Sequence, residues 1–214
     1  MADENVPPLR LHPVVFLDTE TSGLVPTISE ILEIAIVALD GTVLLDTKVR
    51  PVRLDESRAA DPEGTQKALE INGYAKHPEL WEGAPTFAEI AAKVVEALEH
   101  KIIVGQNPKF DRDFVVDGLE RAGVPEAYKK VRRHAIDTTT LAWEHLVPCG
   151  LDHLNLTAEC QFLGVPLDRS ERHGALPDAM AARAVYLMTL RATEEQRFAW
   201  RERARRVGLV AEAQ

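Results

Sequence analysis

The order of the apolar segments constrains the fold of this chain more than any other feature of the sequence. Three short apolar runs come first, at about residues 13–17, 31–39 and 42–49. Asp40 and Gly41 separate the last two runs, and this pair favours the tight turn of an antiparallel hairpin because both residues tolerate a positive φ. Helical patterns and further short apolar runs then alternate. Strands followed by helix–strand alternation predict an α/β fold with a mixed sheet.

The later segments carry start and stop signals. Thr86, followed three residues later by Glu89, predicts a capping box at the start of a helix. Asn107 and Pro108 predict the N-cap and first residue of another helix, which ends near Ala122. We also expect a first strand that runs into a polar loop after Leu17, and a charged and proline-rich loop at 51–64. Apolar runs predict strands at 102–105 and 135–138, and helical patterns predict helices at 152–163 and 177–190.

Length and composition indicate one ordinary globular domain. A chain of 214 residues can bury enough surface for a full core. We expect an N-terminal extension at 1–12, an enzyme-sized domain at 13–190 and a C-terminal helical tail at 191–214. Cys149 and Cys160 are too few for a disulfide framework or a structural zinc site and favour reduced thiols. Because the N-terminus lacks an apolar leader and no apolar run approaches the ~18 residues that span a bilayer, we predict a cytoplasmic protein without a membrane partner.

The net charge limits the kinds of partner. The chain has 25 Lys and Arg residues against 34 Asp and Glu residues, a formal net charge of −9. Proteins that coat nucleic acid without specificity need Lys and Arg to displace counterions, so this balance argues against that class. It leaves open an enzyme that holds nucleic acid at a metal site, because bound cations would offset some of the acids.

Two carboxylates, Asp18 and Glu20, follow the first apolar run. Residues i and i+2 of an extended chain project from the same face, here at the carboxyl edge of the sheet where α/β proteins usually bind ligands. Adjacent carboxylates repel each other, and Mg²⁺ or Mn²⁺ is the simplest neutralising ion because both prefer oxygen ligands. The alternative is that one of the two acids caps a loop.

Helical periodicity separates two neighbouring acids in the helix that begins at Pro108. Asp113 shares a stripe with Asp117 and Glu120, the pattern of a solvated face. Asp111 instead shares its stripe with small and apolar residues. A buried carboxylate without a partner costs several kcal/mol, so Asp111 needs a partner and is the candidate functional acid.

His173 and Asp178 form a third candidate group. His173 lies before Gly174, on a segment that glycine lets move, whereas Asp178 falls in the first turn of a predicted helix on its inward stripe. A histidine on a loop is more often unremarkable than catalytic when taken alone. It gains weight here from the acids elsewhere in the chain.

Taken together, these segments resemble the three motifs of the DEDDh exonucleases, the group of the proofreading epsilon subunit of bacterial DNA polymerase III. The matching segments are Asp-Thr-Glu-Thr-Ser-Gly-Leu at 18–24, Asn-Pro-Lys-Phe-Asp at 107–111, and His173 with Asp178. The resemblance implies an RNase H-like fold with a mixed five-stranded sheet. It also implies stepwise release of nucleoside 5′-monophosphates from the 3′ end of a nucleic acid strand.

The resemblance also implies a role for each motif residue. Asp18, Glu20, Asp111 and Asp178 would bind two Mg²⁺ or Mn²⁺ ions, and His173 would be the general base that deprotonates the attacking water. Such ion pairs stabilise the attacking and leaving oxygens of a phosphodiester displacement, and a histidine with a pKa near ~6.5 suits a base at neutral pH.

Further positions would contact substrate by the same analogy. Leu24 would wedge against the terminal bases, the backbone near Thr19, Thr21 and Gly23 would approach the terminal nucleotide, and Asn107 and Phe110 would line the pocket. Phe110 fits an ordinary core position equally well. Asp137 matches an acid common in the family, with a structural or supporting role. Gln106 departs from the histidine found in many relatives, and Glu33, which interrupts the second strand, has no assigned role.

Three alternatives remain at this point. Haloacid-dehalogenase phosphatases also carry an acidic pair after the first strand, but Glu20 and the helical setting of Asp111 disfavour them. The chain could act mainly through a partner, for which the resemblance indicates a DNA polymerase. It could also trim RNA 3′ ends, although we expect single-stranded or frayed DNA as the substrate.

Overall fold

One mixed sheet organises the part of the chain that the structure describes. A computed structural model describes residues 13–167, 174–190 and 192–206. The sheet has the order β3-β2-β1-β4-β5. Its strands are β1 (Val14–Thr21), β2 (Ile31–Ala38), β3 (Val43–Lys48), β4 (Ile102–Gly105) and β5 (Ala135–Asp137). This arrangement confirms the predicted fold class.

Strand β1 occupies the centre of the sheet. It pairs antiparallel with β2 and parallel with β4, and these pairings place Phe16 opposite Val37 and Glu20 opposite Glu33. Strands β2 and β3 are antiparallel, and the turn between them contains Gly41 at φ +96°. The hairpin predicted from Asp40 and Gly41 is confirmed.

Helices cover both faces of the sheet. They are α1 (Leu54–Ala60), α2 (Pro62–Ile71), α3 (Glu79–Glu82), α4 (Phe87–Leu98), α5 (Pro108–Arg121), α6 (Ala127–Lys130), α7 (Thr138–His145), α8 (Leu156–Leu163), α9 (Ala175–Leu190) and α10 (Glu194–Arg206). The predicted helices at α4, α5 and α9 are confirmed. Thr86 and Glu89 form the expected pairing at the start of α4, where the Thr86 backbone N–H donates to Glu89 Oε2 at 2.7 Å.

The alternation of side chains along β1 divides the core into two layers. Val15 and Leu17 pack with α4 and α5 on one face, whereas Phe16 packs with Ala179 and Tyr186 of α9 on the other. The Phe16 and Tyr186 rings meet edge to face at a centroid distance of 5.5 Å. Asp18 and Glu20 continue the Phe16 face, so the sheet presents them toward α9.

Three expectations about element boundaries are wrong. Strand β1 continues to Thr21, because pairing with β2 keeps the polar motif extended. Residues 51–64 are not a loop, since they contain α1 and the start of α2. Ser57 is buried and donates its hydroxyl to the Ile28 carbonyl at 2.6 Å, a distant contact that local composition does not reveal. Helix α8 begins at Leu156 rather than near 152, because the Asn155 side chain caps it by accepting from the Ala158 N–H at 2.9 Å.

The C-terminal helix α10 packs on the same layer as α7, α8 and α9. Trp200 is buried there, together with Ala204. Cys149 and Cys160 are both buried and are not joined by a disulfide. Among the described residues, no helix combines the length and apolarity needed to cross a membrane.

Candidate active site

Three carboxylates predicted from separate segments come together at the end of β1. Asp18 and Glu20 project from the same face of the strand, and Asp178 reaches them from the first turn of α9. One carboxylate oxygen from each of the three lies within 4.8 Å of the other two. Asp178 is buried, while Asp18 and Glu20 are half-buried. Like charges this close favour binding of a cation.

Asp111 reaches the same edge from the other face of β1. Its Oδ1 accepts hydrogen bonds from the Thr19 backbone N–H at 2.8 Å and from the Thr19 hydroxyl at 2.7 Å. Burial raises the pKa of Asp111 to about 7, and the charge of Asp178 adds to that rise, while the Thr19 hydrogen bonds oppose it. Thr19 therefore anchors Asp111 to the central strand beside the other acids.

The donor chemistry fits a divalent cation. Asp18, Glu20 and Asp178 offer converging carboxylate oxygens, which are hard ligands of the kind that Mg²⁺ and Mn²⁺ prefer. Repulsion among the acids includes the effect of Asp178 on Asp111. A bound cation reverses that repulsion, so the set is better suited to holding a metal than to standing without one.

The second acid of the α5 motif is half-buried and forms ion pairs at the surface. Asp113 pairs with Lys109 on the preceding turn and with Arg112, whose Nη1 lies 3.3 Å from Asp113 Oδ1. Asp117 likewise pairs with Arg121 at 2.6 Å. This stripe belongs to the surface, and Asp111 to the interior.

The predicted substrate contacts lie around this edge. Leu24 is 74% exposed, which suits a side chain that meets a ligand. A Cβ on Gly23 would lie 2.4 Å from Ser29 Oγ, so a larger residue would displace the Ser29 side chain. Thr21 donates its hydroxyl to the Gly23 carbonyl at 2.6 Å. Phe110 is half-buried and packs against the core, with its ring tilted 47° to that of Phe114 at a centroid distance of 4.8 Å.

Asn107 and Pro108 stand at the predicted N-cap and first positions of α5. The Asn107 side chain makes no capping hydrogen bond to the first turn of the helix, and its φ is 55°. The left-handed backbone turns the side chain away from the orientation that a cap requires. His173 lies outside the described residues.

Glu33 has a neighbour that sequence reasoning missed. It lies opposite Glu20 in the sheet and forms an ion pair with Lys48, whose Nζ is 3.0 Å from Glu33 Oε1. Lys48 also lies 4.8 Å from the centre of the Trp81 ring. Lys48 therefore offsets the negative charge of Glu33 beside the carboxylates of Asp18, Glu20 and Asp178. The signal in the sequence was an acid inside an otherwise apolar strand.

Sequence reasoning also missed a buried acid, Glu159 of α8. Its side chain is fully buried, and Oε1 accepts from Gln106 Nε2 at 3.3 Å. Burial raises the pKa of Glu159 to about 7, and the charge of Asp137 adds to the rise. Glu159 shares its helix with the buried residues Leu156, Cys160 and Leu163, so an acid on the apolar side of α8 was the available signal.

We expect Glu159→Gln to remove a pH-dependent loss of stability. The folded protein holds the Glu159 proton up to a pKa of about 7, against an ordinary value of 4.5, so wild-type stability falls as pH rises through that window. The variant should gain up to about 3 kcal/mol over wild type at pH 8 and nothing at pH 4.5. Urea unfolding of both proteins in EDTA across this range measures the difference.

The exposed Glu144 on α7 supplies the matched control for this titration. Glu144→Gln should change stability by less than about 0.5 kcal/mol at every pH, as surface substitutions usually do. A Glu159→Gln difference that stays constant with pH would contradict the assignment of the shifted proton to Glu159.

Known proteins share this fold and sequence pattern. The RNase T exonuclease family model matches residues 15–186. Ribonuclease T of Marinobacter nauticus is 31% identical over 204 residues, which cover 84% of this chain and 85% of that protein. PolC-type DNA polymerase III of Thermotoga maritima is 31% identical over 182 residues, covering 81% of this chain and 11% of the polymerase. Escherichia coli exonuclease I in complex with a dT13 oligonucleotide has a TM-score of 0.63 at 18% identity, over 88% of this chain and 42% of that one.

The RNase H-like fold and its converging carboxylates define a nuclease. The chain belongs to the RNase T family of exonucleases, within the DEDD group, and is a 3′–5′ exonuclease. This membership excludes the haloacid-dehalogenase alternative. The chain spans 11% of the PolC polymerase and 42% of exonuclease I, so it corresponds to a portion of each.

Proposed function

We propose that the enzyme hydrolyses the terminal phosphodiester bond of single-stranded or frayed DNA 3′ ends with two bound Mg²⁺ or Mn²⁺ ions. The convergence of the Asp18, Glu20 and Asp178 oxygens within 4.8 Å carries this proposal. Asp111, held by Thr19 beside them, completes a four-carboxylate set. Four negative charges balance two divalent ions.

The metal ions and the protein have separate tasks in this scheme. When bound, the ions supply charge stabilisation to the attacking and leaving oxygens of the displacement. Asp18, Glu20, Asp111 and Asp178 hold them. The imidazole of His173 accepts a proton from the water whose oxygen attacks phosphorus. The bond between phosphorus and the 3′ oxygen breaks, that oxygen takes up a proton, and a nucleoside 5′-monophosphate leaves.

The residues beyond the carboxylates position the strand. Leu24 is exposed after the end of β1 and would wedge against the terminal bases. This contact tolerates any base sequence because every base has a π-face. Gly23 packs closely against Ser29 and has no side chain, which leaves room for the terminal nucleotide to approach the backbone. Asn107 and Phe110 would line the other side of the pocket.

The relatives support two substrate classes. One is named a DNA polymerase III, and the exonuclease I structure holds a dT13 oligonucleotide, so DNA is the substrate we propose. Ribonuclease T of Marinobacter nauticus matches over most of its length, and this coverage favours RNA trimming as the second candidate. A DNA polymerase is the partner we propose by analogy with PolC.

The decisive experiment digests 3′-labelled and 5′-labelled DNA and RNA oligonucleotides with Mg²⁺, with Mn²⁺ and with EDTA. We expect monophosphates to be released from the 3′ end only when metal is present. This release should be faster from DNA than from RNA. Faster digestion of RNA would favour the second candidate. Activity that persists in EDTA, or that starts from the 5′ end, would contradict the proposed mechanism.

A further inference from the structure

A chain of hydrogen-bonded side chains connects α7 and α8 to the segment before α5. The Thr138 hydroxyl donates to Gln106 Oε1 at 2.6 Å, and Gln106 Nε2 donates to Glu159 Oε1 at 3.3 Å. Thr138 and Glu159 are both fully buried. The amide of Gln106 is thus held at its oxygen by one helix and at its nitrogen by another, which fixes its orientation. We call Thr138, Gln106 and Glu159 the amide clamp.

The amide clamp acts on a short connection that contains a left-handed residue. Gln106 and Asn107 join β4 to α5, and Asn107 adopts φ 55°, a left-handed conformation that asparagine tolerates better than most residues with a Cβ. The Asn107 backbone N–H donates to Asp137 Oδ1 at 3.2 Å. Both residues of the connection are therefore held in place by hydrogen bonds.

The carboxylate cluster does not depend on this connection. Asp111 is fixed to β1 by two hydrogen bonds from Thr19, at 2.8 Å and 2.7 Å. Asn107, in contrast, is exposed, and its carbonyl accepts from the Phe110 N–H at 2.9 Å. Movement of the connection would displace Asn107, which is proposed to line the substrate pocket, while Asp111 keeps its anchor on Thr19.

Glu159 is costly to bury. Its second oxygen, Oε2, is inaccessible to solvent and makes no hydrogen bond to any described residue. Apolar residues in place of both Glu159 and Gln106 would avoid the penalty of a buried carboxyl, because replacing both partners of a buried hydrogen bond is often neutral or stabilising. A polar group kept at such a cost indicates a task other than packing.

We propose that Glu159 is a positioning residue for substrate binding, which acts through Gln106 to hold Asn107 in place for the nucleic acid end. The proposal rests on the proposed function, since it assumes that Asn107 faces the substrate. It assigns the effect of Glu159 to affinity rather than to the chemical step. It also explains why Gln106, an amide with both a donor and an acceptor, occupies its position.

The test compares two substitutions at Glu159. Glu159→Leu removes the acceptor, whereas Glu159→Gln keeps an oxygen for Gln106 Nε2. The assay is steady-state digestion of a single-stranded DNA oligonucleotide with Mn²⁺. We expect Glu159→Leu to raise KM about fivefold, because the loss of one hydrogen bond weakens binding by about this factor. Its kcat should stay within about twofold of wild type. Glu159→Gln should keep the wild-type KM. Gln106→Leu should raise KM to a similar extent, and the double variant Glu159→Leu, Gln106→Leu should be no worse than either single variant.

Two controls separate positioning from stability. Phe162→Leu changes a fully buried residue on the same helix and should lower the melting temperature without raising KM. Oligonucleotide affinity in EDTA, followed by fluorescence anisotropy, should weaken for Glu159→Leu as KM does. An unchanged KM for Glu159→Leu, an equal rise for Glu159→Gln, or additive effects in the double variant would overturn the proposal. A wild-type enzyme inactive on every oligonucleotide would instead contradict the proposed function.

Discussion

Asp111→Asn is expected to lower kcat by about a thousandfold, a loss of ~4 kcal/mol of transition-state stabilisation. Asp111 is buried, and the charge of Asp178 contributes to the rise of its pKa. In the proposed scheme its carboxylate holds the metal ions together with those of Asp18, Glu20 and Asp178. An amide of the same shape keeps an oxygen for the Thr19 hydrogen bonds but brings no negative charge. The ions would then be held less firmly and would be less well placed for the displacement.

The stability of Asp111→Asn distinguishes this loss of kcat from unfolding of the variant. Without metal, the Asp111 carboxylate is buried near other acids, so the asparagine variant should be at least as stable as wild type. Mn²⁺ should raise the wild-type melting temperature, because a ligand that binds the folded state stabilises it. The same ion should shift the variant much less. Melting curves with EDTA and with Mn²⁺ measure both effects.

Asp113→Asn supplies a matched control two residues along the same helix. Asp113 pairs with Arg112 and Lys109 at the surface, where ion pairs are worth about 0–1 kcal/mol. We expect kcat within about twofold of wild type and an unchanged response to Mn²⁺, as is typical for a surface substitution. Equal losses in the two variants, or activity retained by Asp111→Asn, would show that Asp111 is not a ligand.

His173→Ala is expected to lower kcat by about 10²- to 10⁴-fold, the usual contribution of a general base. Since His173 supplies no ligand in the proposed scheme, Mn²⁺ should still raise the melting temperature of the variant. The wild-type rate should fall as pH drops below ~6.5, where an ordinary histidine becomes protonated and cannot accept a proton. The variant should lack that limb of the pH profile.

The exposed His153 is the control for this second prediction. His153→Ala should keep both the rate and its pH dependence. If His173→Ala retained full activity, or retained the wild-type acidic limb, another group would be the base. If it lost the melting response to Mn²⁺, the histidine would belong to the metal-binding set instead.

Prediction from sequence succeeded where local periodicity carries the information. The two-residue repeat of a strand placed Asp18 and Glu20 on one face, and the helical repeat separated buried Asp111 from half-buried Asp113, which forms ion pairs at the surface. It failed at 51–64, where charged residues with Pro51 and Pro62 predicted a loop and the structure has α1 and the start of α2. The contacts that hold these helices are distant, such as the Asn72 side chain donating to the Thr21 carbonyl at 3.0 Å.

The chain by itself determined the residue types of the site, the face on which each one lies and the order in which the elements follow. Only the tertiary structure decided that Asp178 meets Asp18 and Glu20, and that Glu159 reaches Gln106 from a helix 53 positions later. The physical reason is that periodicity describes one element at a time. Contacts between elements follow from how the sheet orders its strands and from which apolar faces the helices bury together.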